Sequence, residues 1–106
     1  MNIAQMMQKA QVMKQKMAEM QEKVSQMEVS GEAGAGMVKV VSTGKGELRS
    51  LTLDPSIVDA SEIDVLEDLV IAAVNDARGK GEAMMAEETQ KMMSELGLPP
   101  GLDLPF

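Results

Sequence analysis

The chain has 106 residues, 44% hydrophobic and 25% charged, the size and balance of one small folded domain. It has no Cys and no His, which excludes disulfides, thiolate catalysis, Cys-ligated metal clusters and the usual imidazole acid–base couples. Its one aromatic residue, Phe106, leaves no platform for stacking bases, and no apolar run nears the roughly 20 residues of a bilayer span.

The amino terminus lacks a basic-then-apolar signal, so a cytoplasmic location is expected. A domain this small buries only about two-thirds of its unfolded surface, and self-association would complete its core. The net charge of −7 argues against a polyanionic partner until it is divided along the chain. Residues 1–27 carry Lys9, Lys14, Lys16 and Lys23 against Glu19 and Glu22, while the excess of acid belongs to residues 55–106. A cationic surface is therefore compatible with an acidic whole, although solvated lysines on an ordinary helix would read the same way.

Ile3, Met6, Ala10, Met13, Met17, Met20, Val24 and Met27 recur at spacings of three and four, an a/d heptad seam that predicts a helix over 2–27. In that frame Lys9, Lys16 and Lys23 all fall at g and line one flank of the seam. Methionine fills gaps but specifies a partner poorly, so the seam demands packing without naming what packs. Residues 28–54 read as a small sheet. Val29 sits in a short, weak first strand, Met37–Thr43 forms a second, and Glu47–Asp54 forms a third after a turn at Gly44-Lys45-Gly46. Leu51 and Leu53 share a strand face with Arg49, Leu48 falls with Ser50 and Thr52 on the other, and the Leu51/Leu53 face is expected to carry the helices.

Asp54-Pro55 ends the sheet. Ser61 is the expected N-cap of a second helix over 62–96, with the apolar set Ile63, Leu66, Leu69, Val70, Ala73, Val74 and Ala77. That apolar face is wider than one neighbour covers, and a second subunit is one way to cover it. Leu51, Leu53, Leu66, Leu69, Val70, Ala73 and Val74 are the candidate core and dimer residues. Gly79-Lys80-Gly81 is expected to bend or break the helix, because each interior glycine costs about 1 kcal/mol relative to alanine. Gly97 and Pro99-Pro100 stop it, which leaves 1–97 as a single domain and 98–106 as a mobile tail. The fold class is α+β.

Few constellations carry chemistry. The Gly31, Gly34 and Gly36 stretch leads into a strand rather than a helix, which is the wrong context for a phosphate loop, and Gly44-Lys45-Gly46 is turn chemistry. Twelve methionines invite a copper reading, yet those in the seam are explained by packing. Glu62, Asp64, Glu67 and Asp68 suit a helix N-terminus. No metal, cofactor, catalytic residue or small-molecule substrate is expected. The stripe of Lys9, Lys16 and Lys23, with Lys14 on the same helix and Arg78 and Lys80 near the glycine pair, is the constellation that suits phosphate, gripping backbone rather than reading bases.

The runs Gly34-Ala35-Gly36-Met37-Val38-Lys39-Val40, Gly44-Lys45-Gly46-Glu47-Leu48, Leu53-Asp54-Pro55-Ser56, Leu66-Glu67-Asp68-Leu69-Val70 and Ala72-Ala73-Val74-Asn75-Asp76-Ala77 resemble the YbaB/EbfC family. The likeness extends from the Met/Gln/Lys-rich first helix to the Gly-Leu-Pro-Pro-Gly tail. It implies a three-stranded antiparallel sheet with a long helix at each end and a homodimer whose protruding helices straddle duplex DNA. It further implies a nucleoid-associated DNA-binding protein of the bacterial cytoplasm, without catalysis. The alternative reading from the residues themselves is a protein-interaction module that uses the Met-rich seam.

Overall fold

The computed structural model describes residues 2–97. The expected element order is present: α1 (Ile3–Gln26), β1 (Glu28–Ala33), β2 (Val38–Thr43), β3 (Leu48–Leu53) and, after two short 3-10 turns, α2 (Ile63–Glu95). The three strands form one antiparallel sheet in the order β1-β2-β3. The tail expected over 98–106 lies outside the described residues.

One face of the sheet carries α2, which lies over β1 and β2 rather than over β3. Val38 and Val40, alternate residues of the central strand, are buried against Ala73 and Ala77, with Leu53, Ile57, Leu69, Val70 and Val74 packed around them. The small residues at this contact bring backbone to backbone. A Cβ on Gly31 would lie 2.5 Å from the Ala73 carbonyl O and run into the Ala77 backbone N. Asp76 clamps the same contact, its Oδ2 accepting from the Glu32 N–H at 3.0 Å. A second cluster joins the distal half of α2 to α1: Met20, Val24, Met92 and Met93 are buried, and Met17, Met84, Met85 and Leu96 pack on them. The two clusters follow one another along a body 69 × 22 × 17 Å in extent.

Three local expectations are corrected. The glycine pair does not break α2, which runs unbroken from Ile63 to Glu95. Gly81 is buried where the helix crosses the β2–β3 turn, a Cβ there standing 3.3 Å from the Gly44 carbonyl O, so its smallness serves packing. Ser61 is not the N-cap of α2. Asp59 accepts from the Ser61 N–H at 3.0 Å and caps a 3-10 turn over Ala60–Glu62, and α2 then starts at Ile63 with no side-chain cap. On β3, a register jump between Val41 and Ser42 sets Leu48 opposite Ser42 and leaves Arg49 as the extra residue. Such a bulge re-aims the strand, so Leu48 joins Leu51 and Leu53 on the helix side instead of facing away.

Leu53 packs into the core, and Leu66 is half-buried. Leu51 lies opposite buried Val40 yet is 52% exposed, because α2 does not reach β3. Leu48 beside it is 50% exposed.

Candidate nucleic-acid interface

α1 starts at an Asn2 cap whose side-chain oxygen accepts from the Ala4 N–H at 2.6 Å. From Asn2 to Ala18 the sequence holds Lys9, Lys14 and Lys16 and no acidic residue. Every residue from Asn2 to Val12 is exposed, and the seam is covered only from Met13 onward. The reason is length: α2 ends at Glu95, and Leu96 and Gly97 meet α1 in a groove with Val12 and Met13 that opens toward Gln5, Gln8 and Lys9. The first turns of α1 are thus a basic arm, its lysines on flexible stems over exposed Ile3, Met6 and Met7.

The g-position stripe divides in two. Lys9 stands free, and among the described residues neither Lys9, Lys14 nor Arg78 has a carboxylate within 4.0 Å. Lys14, about 140° around the helix from Lys9, faces the other flank of the arm. Lys16 leans on Glu19 at 3.7 Å. Lys23 donates to Glu88 Oε2 at 3.0 Å, and Lys91 approaches the other carboxylate oxygen at 3.5 Å. The Glu88 side chain is buried, and the Lys23 hydrogen bond holds its carboxyl below the usual glutamate range. Lys23 therefore ties α1 to α2 before it offers anything to a phosphate.

Arg78 and Lys80 do not join the stripe. They precede Glu88 by eight to ten residues, about 12–15 Å of helix, and two positions apart they face nearly opposite ways. Lys80 is engaged by Asp76 at 3.0 Å, on the side of α2 that also holds β1, and the Asp76 carboxyl is lowered first by the Glu32 N–H and then by Lys80. Sequence reasoning missed Glu88. Its signal was present, since a carboxylate among Met84, Met85 and Met92 on an apolar stripe calls for a cation. It also missed Lys39 on β2 and Lys45 in the turn after it, exposed cations that have no carboxylate within 4.0 Å among the described residues.

The arrangement suits electrostatic contact with a polyanion and nothing more chemical. Among the described residues no group of three or more acidic side chains converges on an ion site. No described helix is long and apolar enough to cross a membrane.

The YbaB/EbfC DNA-binding family profile matches residues 1–96, the two helices and the sheet together. The chain belongs to the YbaB/EbfC DNA-binding family. Its relatives include a nucleoid-associated protein of Paramagnetospirillum magneticum, 54% identical, and one of Granulibacter bethesdensis, 51% identical. Each alignment covers 99% of this chain and 98% of the relative. The crystal structure of an uncharacterized protein from Helicobacter pylori has the same fold, with a TM-score of 0.76 at 25% identity over 88% of this chain and 98% of that one. Membership in YbaB/EbfC makes this a DNA-binding rather than an enzymatic lineage. The YbaB/EbfC runs noted in the sequence map onto the Gly34–Gly36 turn, the β2–β3 hairpin, the Asp54 cap and the stretch of α2 that covers the sheet.

Proposed function

We propose that this protein is a nucleoid-associated DNA-binding protein that grips the backbone of duplex DNA as a homodimer, through the lysines of the α1 arm. The observation that supports the contact surface is the acid-free stretch from Asn2 to Ala18, exposed over its first eleven residues and carrying Lys9 and Lys14 with no carboxylate within 4.0 Å among the described residues. Point charges on flexible stems reach phosphates, contacts that position a protein on the duplex without reading its sequence, so the grip follows the backbone. The acidic outer face of α2 would be held off the duplex by like-charge repulsion, which leaves α1 as the side that approaches.

Dimerisation is favoured by the trough beside α2. Leu48 and Leu51 lie on the helix side of β3 with no helix above them, while Ile63 and Ile71, at 45% and 58% exposure, line α2 away from Asp76 and hence on the side toward β3. A second copy seated there would bury these side chains at roughly 25 cal/mol per Å² of apolar surface.

Charge reversal of the arm tests the assignment. Lys9→Glu with Lys14→Glu is expected to weaken binding to a random-sequence duplex at least tenfold, whereas Lys45→Glu in the sheet turn changes it about twofold or less. Equal effects from the two variants would move the contact off α1. The uncovered seam of the arm, Ile3 at 75% and Met6 at 54% exposure, favours a second reading in which a partner helix packs there. Loss of a co-purifying protein, with DNA binding intact, from an Ile3→Glu, Met6→Glu variant would support that reading.

A further inference from the structure

The two clusters of this fold differ in chemistry. The sheet core is built from Val38, Val40, Ala73 and Ala77, whereas the cluster joining α1 to α2 is built from Met17, Met20, Met84, Met85, Met92 and Met93, with Val24 and Leu96 completing it. A thioether is the one apolar side chain that a mild oxidant makes polar without breaking the chain. We infer that the α1–α2 junction is an oxidation-sensitive latch, in which conversion of its methionines to sulfoxides by peroxide releases the α1 arm and leaves the sheet core folded.

Access favours it. Met17, Met84 and Met85 are half-buried at the margin of the cluster. Buried Met20 and Met92 border an opening of about 170 Å³ rimmed by Lys16, Lys23 and Lys91, far larger than one small oxidant needs. In the reaction the sulfur lone pair attacks one oxygen of hydrogen peroxide, an S–O bond forms as the O–O bond breaks, and the proton of the transferred oxygen passes to the departing one, which leaves as water. Sulfur is oxidised by two electrons and the peroxide is reduced. The product is a polar, chiral sulfoxide that must draw in water or a rim lysine, since the Thr89 hydroxyl, 3.4 Å from Met20 Sδ, already lies 2.9 Å from the Met85 carbonyl. What then remains between the helices is the Lys23–Glu88 pair, half open to water on the lysine side. At the sheet end, Val24 and Met27 carbonyls still accept from the Gly44 N–H, so α1 stays tethered while its distal part departs.

The test needs no DNA and stands apart from the proposed function. The full chain is treated with hydrogen peroxide, its sulfoxides are mapped by mass spectrometry, and brief tryptic digestion compares cleavage after Lys14, Lys16 and Lys23 with cleavage after Lys39 and Arg49. Oxidation at Met17, Met84 and Met85 is expected to speed cleavage in α1 about tenfold with the sheet sites unchanged, and methionine sulfoxide reductases are expected to restore the original pattern. Replacing the six cluster methionines by leucine, a volume-conserving change, should abolish the effect, while Met6→Leu with Met7→Leu should not. The inference is overturned if the cluster methionines oxidise with no change in α1 cleavage, if they resist oxidation, or if the sheet sites open in parallel with α1.

Discussion

Among the described residues Glu88 is the charged group with the least ordinary setting, a buried carboxylate between two lysines, Lys23 from α1 and Lys91 from its own helix. The hydrogen bond from Lys23 lowers its pKa below the ordinary 4.5, so its contribution to stability is full above that value and is lost as pH falls through the lower, folded-state value. The docking of α1 on α2 is therefore expected to be constant from about pH 8 to about pH 5 and to weaken in more acidic solution. Glu88→Gln should remove that part of the acid dependence. Backbone amide exchange of α1 as a function of pH reads it directly, and an identical acid profile in Glu88→Gln would contradict the role. Lys23 itself shows how far a heptad pattern can be trusted. The pattern correctly put Lys23 on the flank of the seam, but its partner, 65 positions away in sequence, lay beyond any local rule.

At the scale of elements, α1, the hairpin and α2 were legible because each rests on a periodicity that the structure keeps: the seam with Met20 and Val24 inside, alternate Val38 and Val40 inside, and Ala73 and Ala77 one turn apart against the sheet. Three details were not legible, each decided by a competing local contact. Asp59 captured the Ser61 N–H before Ser61 could cap α2. The extra residue at Arg49 arises from cross-strand register, which a single strand does not reveal. The two glycines of α2 read alike in sequence but do different work. Gly81 lets the helix cross the Gly44 turn, while a Cβ at Gly79 would meet nothing within 4 Å. Gly79→Ala is accordingly expected to stabilise the protein by about 0.5–1 kcal/mol, raising the melting temperature by a few degrees. Gly81→Ala is expected to gain less or to lose stability, because the neighbour it crowds is backbone. Thermal unfolding of the two variants distinguishes them, and equal gains would mean that the helix–turn contact is looser than a 3.3 Å approach to the Gly44 carbonyl O implies.

For the whole molecule, the uneven charge and the uneven covering belong together. The acidic residues sit mostly on α2 and the turns before it, Lys9 and Lys14 on an arm that α2 is too short to cover, and the uncovered leucines on the strand that α2 does not reach. If a second copy fills that trough, Leu51→Glu should convert a dimer into a monomer, read as a halved molar mass by light scattering, and an unchanged mass would place the interface elsewhere. The candidate DNA surface was only partly legible. Of the three lysines the heptad frame puts at g, Lys9 has no carboxylate within 4.0 Å among the described residues, whereas Lys16 and Lys23, like Lys80, are drawn into ion pairs, and Lys14 lies off that flank. Whether a dimer grips duplex backbone through the α1 arm, as proposed, is read from the fluorescence anisotropy of a labelled duplex of about 30 base pairs titrated with the protein between about 50 and 200 mM salt. Neutralisation of four to eight phosphates per dimer predicts a log–log slope of roughly −4 to −7, and absence of binding at the lowest salt, or binding indifferent to salt, would contradict it.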